Sequence, residues 1–359
     1  YENSFISSES RKKLGIHSTP SFIADYVLSQ IPIESLQREQ WHVTDPMCGH
    51  GIFLIAAMRR IKSLLPGDWS GKQRHAFFIN HLQGIEIDPF SVEVARMCLM
   101  LADFPESNGW KLERNDVFAD KILETTMSKT MILVANPPFE VTENGNPKIP
   151  KPVELLRRSL PALPNNAFVG LVLPRSFVDS SDYKKERDFF LGNFEIISLT
   201  CLPDRIFLHS DAETVIVVAQ KQQPRNKRNV LYREVRDNER DTFRTHRRVT
   251  REDNIPQSYF NDKMQGRFVV PLLREIWERL EGYTVLGEIA NIYKGVEYKL
   301  SLEKKRDEII QPNPFPGSKP GVVTVTKGFM QFIAEDTVYI SVDRQYRRFE
   351  TSTAWDLPW

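Results

Sequence analysis

The sequence is short of cysteine, of long apolar runs and of net charge. Only Cys48, Cys98 and Cys201 stand among 359 residues. Three is an odd number and their spacing fits no zinc pattern, so neither a disulfide framework nor a metal is expected. Free thiols in a reducing, cytoplasmic compartment are the plain reading. No stretch of 18 apolar residues occurs, which excludes a membrane-spanning helix. Lys and Arg number 48 against 47 Asp and Glu, which excludes a uniformly basic coat and leaves only a local basic face. Internal repeats and low-complexity tracts are absent. With 41% hydrophobic and 26% charged residues the chain is globular rather than disordered. It opens on Tyr1-Glu2-Asn3-Ser4, without Met or an apolar signal core, and stops abruptly at Trp359, as expected of a piece of something longer.

What is present is an alternation of strands and helices over the first 220 residues. Thr19-Pro20 reads as a helix start, followed by Phe22, Ile23, Tyr26, Val27 and Ile31 at helical spacing. A strand ends at Asp45, and a helix is expected over 52–65. A strand over 82–87 precedes a helix from Pro89 to about Leu101, and a weaker strand covers 111–115. Met131–Ala135 and Ala167–Leu173 are continuous apolar runs, the pattern of parallel strands buried on both faces. A helix over 182–191 and strands over 194–201 and 214–219 complete a mostly parallel, doubly wound α/β sheet. Residues 221–251 then carry eleven Lys/Arg against four Asp/Glu. Such a run is a solvated face or a surface for phosphates. Leu272–Leu280 reads as a helix, 286–296 as irregular strand, and 312–320, with four prolines, as a loop. A domain boundary is expected near 265–283.

Three constellations lie at strand ends. Asp45-Pro46-Met47-Cys48-Gly49-His50-Gly51 joins a strand to a helix. Two glycines there permit a tight turn and close approach of a ligand to helix N–H groups. It lacks both the dinucleotide G-x-G-x-x-G and the P-loop Lys, and an ordinary strand–helix turn is the bland alternative. Gly84-Ile85-Glu86-Ile87-Asp88-Pro89 places an acid where a ribose diol can be held. Asp88-Pro89 also reads simply as a helix N-cap with Pro at the first position. Asn136-Pro137-Pro138-Phe139 ends the most apolar strand. Two prolines contribute carbonyls but no N–H, Asn136 adds a side-chain carbonyl, and Phe139 adds an aromatic plane. That set suits an amino group on a flat ring, at the carboxyl edge where open α/β sheets bind ligands.

On these motifs the chain resembles the Rossmann-like, S-adenosylmethionine-dependent N6-adenine DNA methyltransferases, in the gamma-class order of type I and type IIG restriction–modification systems. The resemblance covers roughly residues 15–220, with a weaker echo at 284–298. It implies a mostly parallel doubly wound sheet with an antiparallel terminal hairpin. It implies a catalytic domain over 1–265, with residues 221–251 as a basic extension. Residues 266–359 would be a linker helix and the start of a DNA target-recognition domain, entered at 286–296. It implies S-adenosyl-L-methionine as cofactor, held by Thr19, Pro20, Asp45, Pro46, Cys48, Gly49, Gly51, Glu86, Ile87, Asp116 and Val117. Within that set Glu86 would hold the ribose, Ile87 would pack on the cofactor adenine and Asp116 would accept from its amine. Asn136, Pro137, Pro138 and Phe139 would be the catalytic motif, and Phe207 a second aromatic lining the target-base pocket. Met47, His50 and Ser18 depart from the residues usual at their positions.

The resemblance further implies double-stranded DNA as substrate and other domains or subunits of a restriction or defence system as partners, with no membrane. Residues 221–251 would grip phosphates. Two other readings stay open on the residues alone. One is methylation of an RNA adenine or a protein glutamine amide by the same acceptor cluster. The other is a non-catalytic nucleic-acid-binding module.

Overall fold

The computed structural model describes residues 19–140, 149–207, 212–224, 228–280, 282–284, 288, 306–321 and 338–341. The chain divides into two compact units, Tyr1–Leu272 and Leu273–Trp359.

The first unit is built on a nine-stranded sheet of order β3-β2-β1-β4-β5-β7-β6-β8-β9. The strands are β1 (Val43–Asp45), β2 (Leu82–Glu86), β3 (Lys111–Arg114), β4 (Ile132–Ala135), β5 (Phe168–Pro174), β6 (Phe194–Leu202), β7 (Thr214–Lys221), β8 (Asn229–Glu234) and β9 (Arg251–Pro256). β1 to β5 pair in parallel. β7 inserts antiparallel between β5 and β6, which turns β6 back into the common direction. This is the expected doubly wound α/β sheet with its antiparallel hairpin. The hairpin is not the edge, however. β8 pairs in parallel with β6, and β9 closes the sheet antiparallel to β8.

The apolar runs are explained by two-sided burial. In β4, Ile132 and Val134 enter one core cluster, while Leu133 and Ala135 enter the cluster on the opposite face. A period-two strand covered on both sides has no polar face to show. The Ser21–Gln30 helix packs on the first face. Its seat is made by Gly170 of β5, where a Cβ would stand 2.6 Å from Val27 Cγ1 and 3.0 Å from Ile31 Cδ1. Its inner face is tied to the far strands. Tyr26 and Thr200 share a hydroxyl hydrogen bond of 3.2 Å, and Gln30 Oε1 accepts from Ser198 Oγ at 2.6 Å and from Arg233 at 2.8 Å.

Several helices follow a local rule. Asp88 caps the Pro89–Ala102 helix by accepting from the Ser91 N–H at 2.9 Å, as its Asp-Pro signature predicts. Gly71–His81 is a helix that the hydrophobic pattern did not suggest, opened by a reciprocal box between Ser70 and Gln73. The Lys151–Ala162 helix ends with Pro161, and Lys221 Nζ covers the carbonyls of Leu160, Pro161 and Leu163 at 3.0, 2.8 and 2.6 Å. That lysine heads the basic run, and it caps a helix C-terminus.

The rest of the run behaves similarly. Arg233 pairs with Glu252 at 2.8 Å. Arg240 holds the Asp204 carbonyl at 2.9 Å and its carboxylate at 2.5 Å. Arg244 pairs with Asp241 and donates to the Arg205 carbonyl. Arg247 lies 4.6 Å over the Phe22 ring. Arg251 donates to the carbonyls of Val270 and Pro271 at 3.0 and 2.9 Å. Arg236 and Arg248 stay exposed and make no ion pair among the described residues. The expected phosphate face is therefore largely a structural wing: β8, the Arg240–His246 helix and β9, cross-braced by its own arginines.

In the second unit, β10 (Ile310–Gln311), β12 (Val338–Ser341) and β11 (Ser318–Gly321) form a three-stranded antiparallel sheet. β11 overlaps the end of 312–320, expected as loop; backbone pairing with β12 recruits a segment whose side chains carry no strand pattern. The helix expected over 272–280 is present as Arg274–Arg279. The strand expected over 286–296 lies outside the described residues, apart from Glu288.

Candidate active site

The carboxyl ends of β3, β2, β1 and β4 stand side by side, and the three constellations meet there. The Cys48 N–H donates to the Ile85 carbonyl at 3.0 Å, which stitches the glycine turn to β2. Gly49 and Gly51 both take positive φ, +49° and +78°. A Cβ on Gly51 would stand 3.2 Å from Ala95 Cβ, whereas one on Gly49 would meet nothing within 4 Å. Gly51 is thus set by packing and Gly49 borders open space.

Glu86 organises the rim. Its Oε2 accepts the Gly49 N–H and its Oε1 the Asp88 N–H, each at 2.9 Å. Each carboxylate oxygen keeps a further acceptor direction, so a pair of hydroxyls can still be held. Ile87 is 61% exposed, an apolar surface beside the acid. Asp116 accepts the Phe118 N–H on Oδ1 at 3.0 Å, which leaves Oδ2 to face an amine. An acid for a diol, an apolar plate for a ring and a fixed carboxylate for an amine fit an adenosine, the larger part of S-adenosylmethionine.

Asp45 is enclosed at the base of the turn, with Oδ1 accepting the Met47 N–H at 3.2 Å. Burial, and secondarily the charge of Glu86, push its carboxyl up to about 8 against the pull of that N–H. Burial likewise pushes the Cys48 thiol well up. Cys48 lies beneath the turn, where a Cβ on Gly84 would collide with its Sγ at 2.8 Å. Cys48 therefore packs, and only its backbone shapes the turn; Pro46 is buried with it. Val117 is buried too, in the cluster of Ile85 and Ala135, so its side chain serves the core and not a ligand.

At β4 the backbone leaves the sheet through Asn136, Pro137, Pro138 and Phe139. Pro137 is buried, and Asn136, Pro138 and Phe139 are half-buried. Asn136 Nδ2 donates to Thr19 Oγ1 at 2.9 Å. Thr19, just before Pro20 at the start of the 21–30 helix, is therefore brought to the Asn-Pro-Pro-Phe bend. Glu140 then pairs with Lys151 at 2.6 Å, and its carbonyl accepts the Lys151 N–H. Phe207 packs in the core. Its ring is 3% exposed, in the apolar cluster of Leu202, Ile206 and Phe243, and offers a base no face. The physical reason is the wing: Arg240 and Arg244 grip residues 204–205 and press the following Ile206-Phe207 into the core.

Two residues were given no role in the motif reading. Arg158 donates to the carbonyls of Phe118 and Asp120, both at 2.7 Å, and to Glu124, so it clamps the segment that carries Asp116. Only its i,i+4 spacing from Glu154 is visible in sequence. Gly84 opened the second constellation without a role of its own, yet a Cβ there would collide with Cys48, Leu112 and Leu54 under the turn.

Residues 3–305 match the model of the N-6 DNA methylase family. Among curated proteins, the chain is 30% identical over 103 residues to "Adenine-specific methyltransferase PglX" of Streptomyces coelicolor, covering 27% of this chain and 8% of that one. It is 22% identical over 228 residues to "Type II methyltransferase M.CvrRI" of Paramecium bursaria Chlorella virus XZ-6E, covering 61% of this chain and 52% of the other. The chain thus spans about half the length, or far less, of these relatives. Among solved structures, one described as the "type I R-M system" in complex assembly and conformational transition superposes with a TM-score of 0.55 at 17% identity. That match covers 76% of this chain and 64% of the other.

Proposed function

This chain belongs to the N-6 DNA methylase family, and from that premise we propose that it methylates the N6 amine of an adenine flipped out of double-stranded DNA. S-adenosyl-L-methionine is the cofactor that the family and the fold imply, and when bound it supplies an electrophilic methyl carried on a sulfonium. The carrying observation is the bend at the end of β4. It offers acceptors, and Asn136 Nδ2 is already engaged by Thr19.

The residues act as follows. Asn136 Oδ1 and the Pro137 carbonyl each accept one N6 hydrogen, which draws the lone pair out of the ring and localises it. Pro137 and Pro138 bring no competing N–H. As the amine becomes positive these two hydrogen bonds strengthen, so they favour the transition state over the ground state. No strong base is needed beforehand, because the proton becomes acidic only once the methyl has bonded, and it then passes to solvent water. Phe139 stacks on the flipped base, a contact worth roughly 1–3 kcal/mol that offsets unpairing. Glu86, Ile87 and Asp116 hold the nucleoside end of the cofactor in the roles their geometry suits.

A cytoplasmic enzyme of a restriction–modification or phage-defence system is the setting that fits this reading, with further domains or subunits as partners. No helix among the described residues is long and apolar enough to cross a membrane. We read the first compact unit as the catalytic domain, running past the expected residue 265 to 272 because Phe268 and Val270 pack in its core, and 273–359 as a linker helix and the start of a target-recognition domain. The test is incubation with methyl-labelled cofactor and duplexes of varied sequence, then digestion to nucleosides. Label in N6-methyladenine is expected. Cofactor binding without any labelled N6-methyladenine, across a broad duplex set, would refute the reading.

A further inference from the structure

We infer that Thr19 is a positioning residue for the transfer: its hydroxyl anchors the Asn136 amide in place at the end of β4. The inference rests on the methyl-transfer reading above and assigns Thr19 a task apart from holding the cofactor.

The two ends of a carboxamide are nearly equal in size and opposite in hydrogen-bonding sense. Sterics alone do not choose between them. With Oδ1 toward the target, the amide accepts an N6 hydrogen. Flipped, it would present N–H groups to an amine that is itself a donor, and half of the acceptor pair would be lost. Asn136 Nδ2 donates to Thr19 Oγ1 at 2.9 Å, and both residues are half-buried. That bond anchors the nitrogen end of the amide and leaves Oδ1 on the other side, free to accept. Donation from Nδ2 also shifts electron density toward Oδ1, since linked hydrogen bonds polarise one another. Thr19 thereby makes the Asn136 carbonyl a better acceptor as well as a firmly placed one.

The fold holds Thr19 there by rigid means. Pro20, at φ −61°, leads directly into the Ser21–Gln30 helix. Gly170 lets that helix settle on the sheet. Tyr26 and Gln30 bind it to Thr200, Ser198 and Arg233. The first residue of the assembly is then fixed over the end of β4. Arg233 belongs to the basic wing, so one wing arginine supports the catalytic amide from a distance.

Thr19→Val keeps the shape and removes the hydroxyl; Thr19→Ser keeps the hydroxyl. For Thr19→Val, kcat at saturating cofactor is expected to fall roughly 10–100-fold, from loss of one half-buried hydrogen bond, with the Kd for S-adenosylmethionine moving less than ~3-fold. Thr19→Ser should restore kcat to within about 3-fold of the parent. A weaker Kd with unchanged kcat in Thr19→Val would make Thr19 a cofactor ligand and overturn the inference, as would a serine variant as slow as the valine one. A second readout is independent of turnover. In 15N-labelled protein, the Asn136 side-chain NH2 resonance, identified by its loss in Asn136→Asp, should move in Thr19→Val and return in Thr19→Ser. An unmoved resonance refutes the bond. A parent protein that methylates no adenine removes the methyl-transfer reading, while the resonance still decides whether Thr19 holds the amide.

Discussion

The rim at the ends of β1 to β4 and the wing formed by β8, the 240–246 helix and β9 invite the same first reading, as surfaces that meet nucleic acid. They resolve oppositely. The rim has few charges and keeps its chemistry open: Glu86 and Asp116 each use oxygens to shape backbone while retaining acceptor capacity. The wing is rich in charge, and most of it is consumed internally by Asp204, Glu252, Asp241 and backbone carbonyls. Counting arginines measures what a segment could do. Which groups remain unpaired measures what it does.

The sharpest way to break this contrast is to exchange the kinds of damage. Asn136→Ala should lower kcat at least about 10²–10³-fold, the cost of a lost transition-state acceptor. Cofactor affinity and Tm should stay near the parent values, measured by label transfer, calorimetric titration and thermal melting. Turnover that survives would remove Asn136 from its role. Next in size, Asp45→Asn tests a rim carboxyl that burial holds away from its ordinary state. With its carboxyl raised to about 8, the folded protein holds a proton that the unfolded chain releases near pH 4. Asp45 therefore favours the folded state most at low pH, and that contribution is lost as pH rises from about 4 through 8. The slope reaches about 1.4 kcal/mol per pH unit where the two states differ by a full proton. Urea unfolding at several pH values should show a flatter profile for Asp45→Asn; identical profiles would mean that Asp45 titrates normally.

On the wing, Arg240→Ala should do the reverse of Asn136→Ala. Its guanidinium is only partly exposed and bridges Asp204 twice, so a loss of roughly 1–2 kcal/mol of stability is expected. The salt dependence of DNA binding should stay the same. A changed salt slope with unchanged stability would restore the phosphate role. The smallest effect belongs to the joint Arg236→Gln, Arg248→Gln variant. These exposed side chains are the wing's best remaining candidates for phosphates. Each should lower the salt slope of DNA binding by about one at most, with stability untouched. A flat response would leave the wing purely structural.

What could be read beforehand follows the same division. The β4 strand and its Asn-Pro-Pro-Phe exit were legible because two-sided burial and proline chemistry act on neighbouring residues. Asp88 was legible as a cap because Asp-Pro is a local signal, and Ser70 with Gln73 carried one that went unused. β8 and β9 were not legible. Arg251–Pro256 is largely polar and solvent-facing, and it is a strand because β8 supplies backbone partners. Phe207 was misplaced for a related reason: whether an aromatic lines a cavity or fills a core depends on what packs over it, here a helix more than thirty residues downstream. The Thr19–Asn136 bond spans 117 residues and has no local signature.

The wing also bears on how the protein can be produced. β6 lies between β7 and β8, so an expression fragment trimmed at the end of β7, where the recognisable motifs stop, would strip β6 of one neighbour. A long apolar strand with a bare row of amides invites intermolecular pairing. A shortened piece should therefore be cut after residue 272, even though the motifs at the sheet rim all precede residue 220.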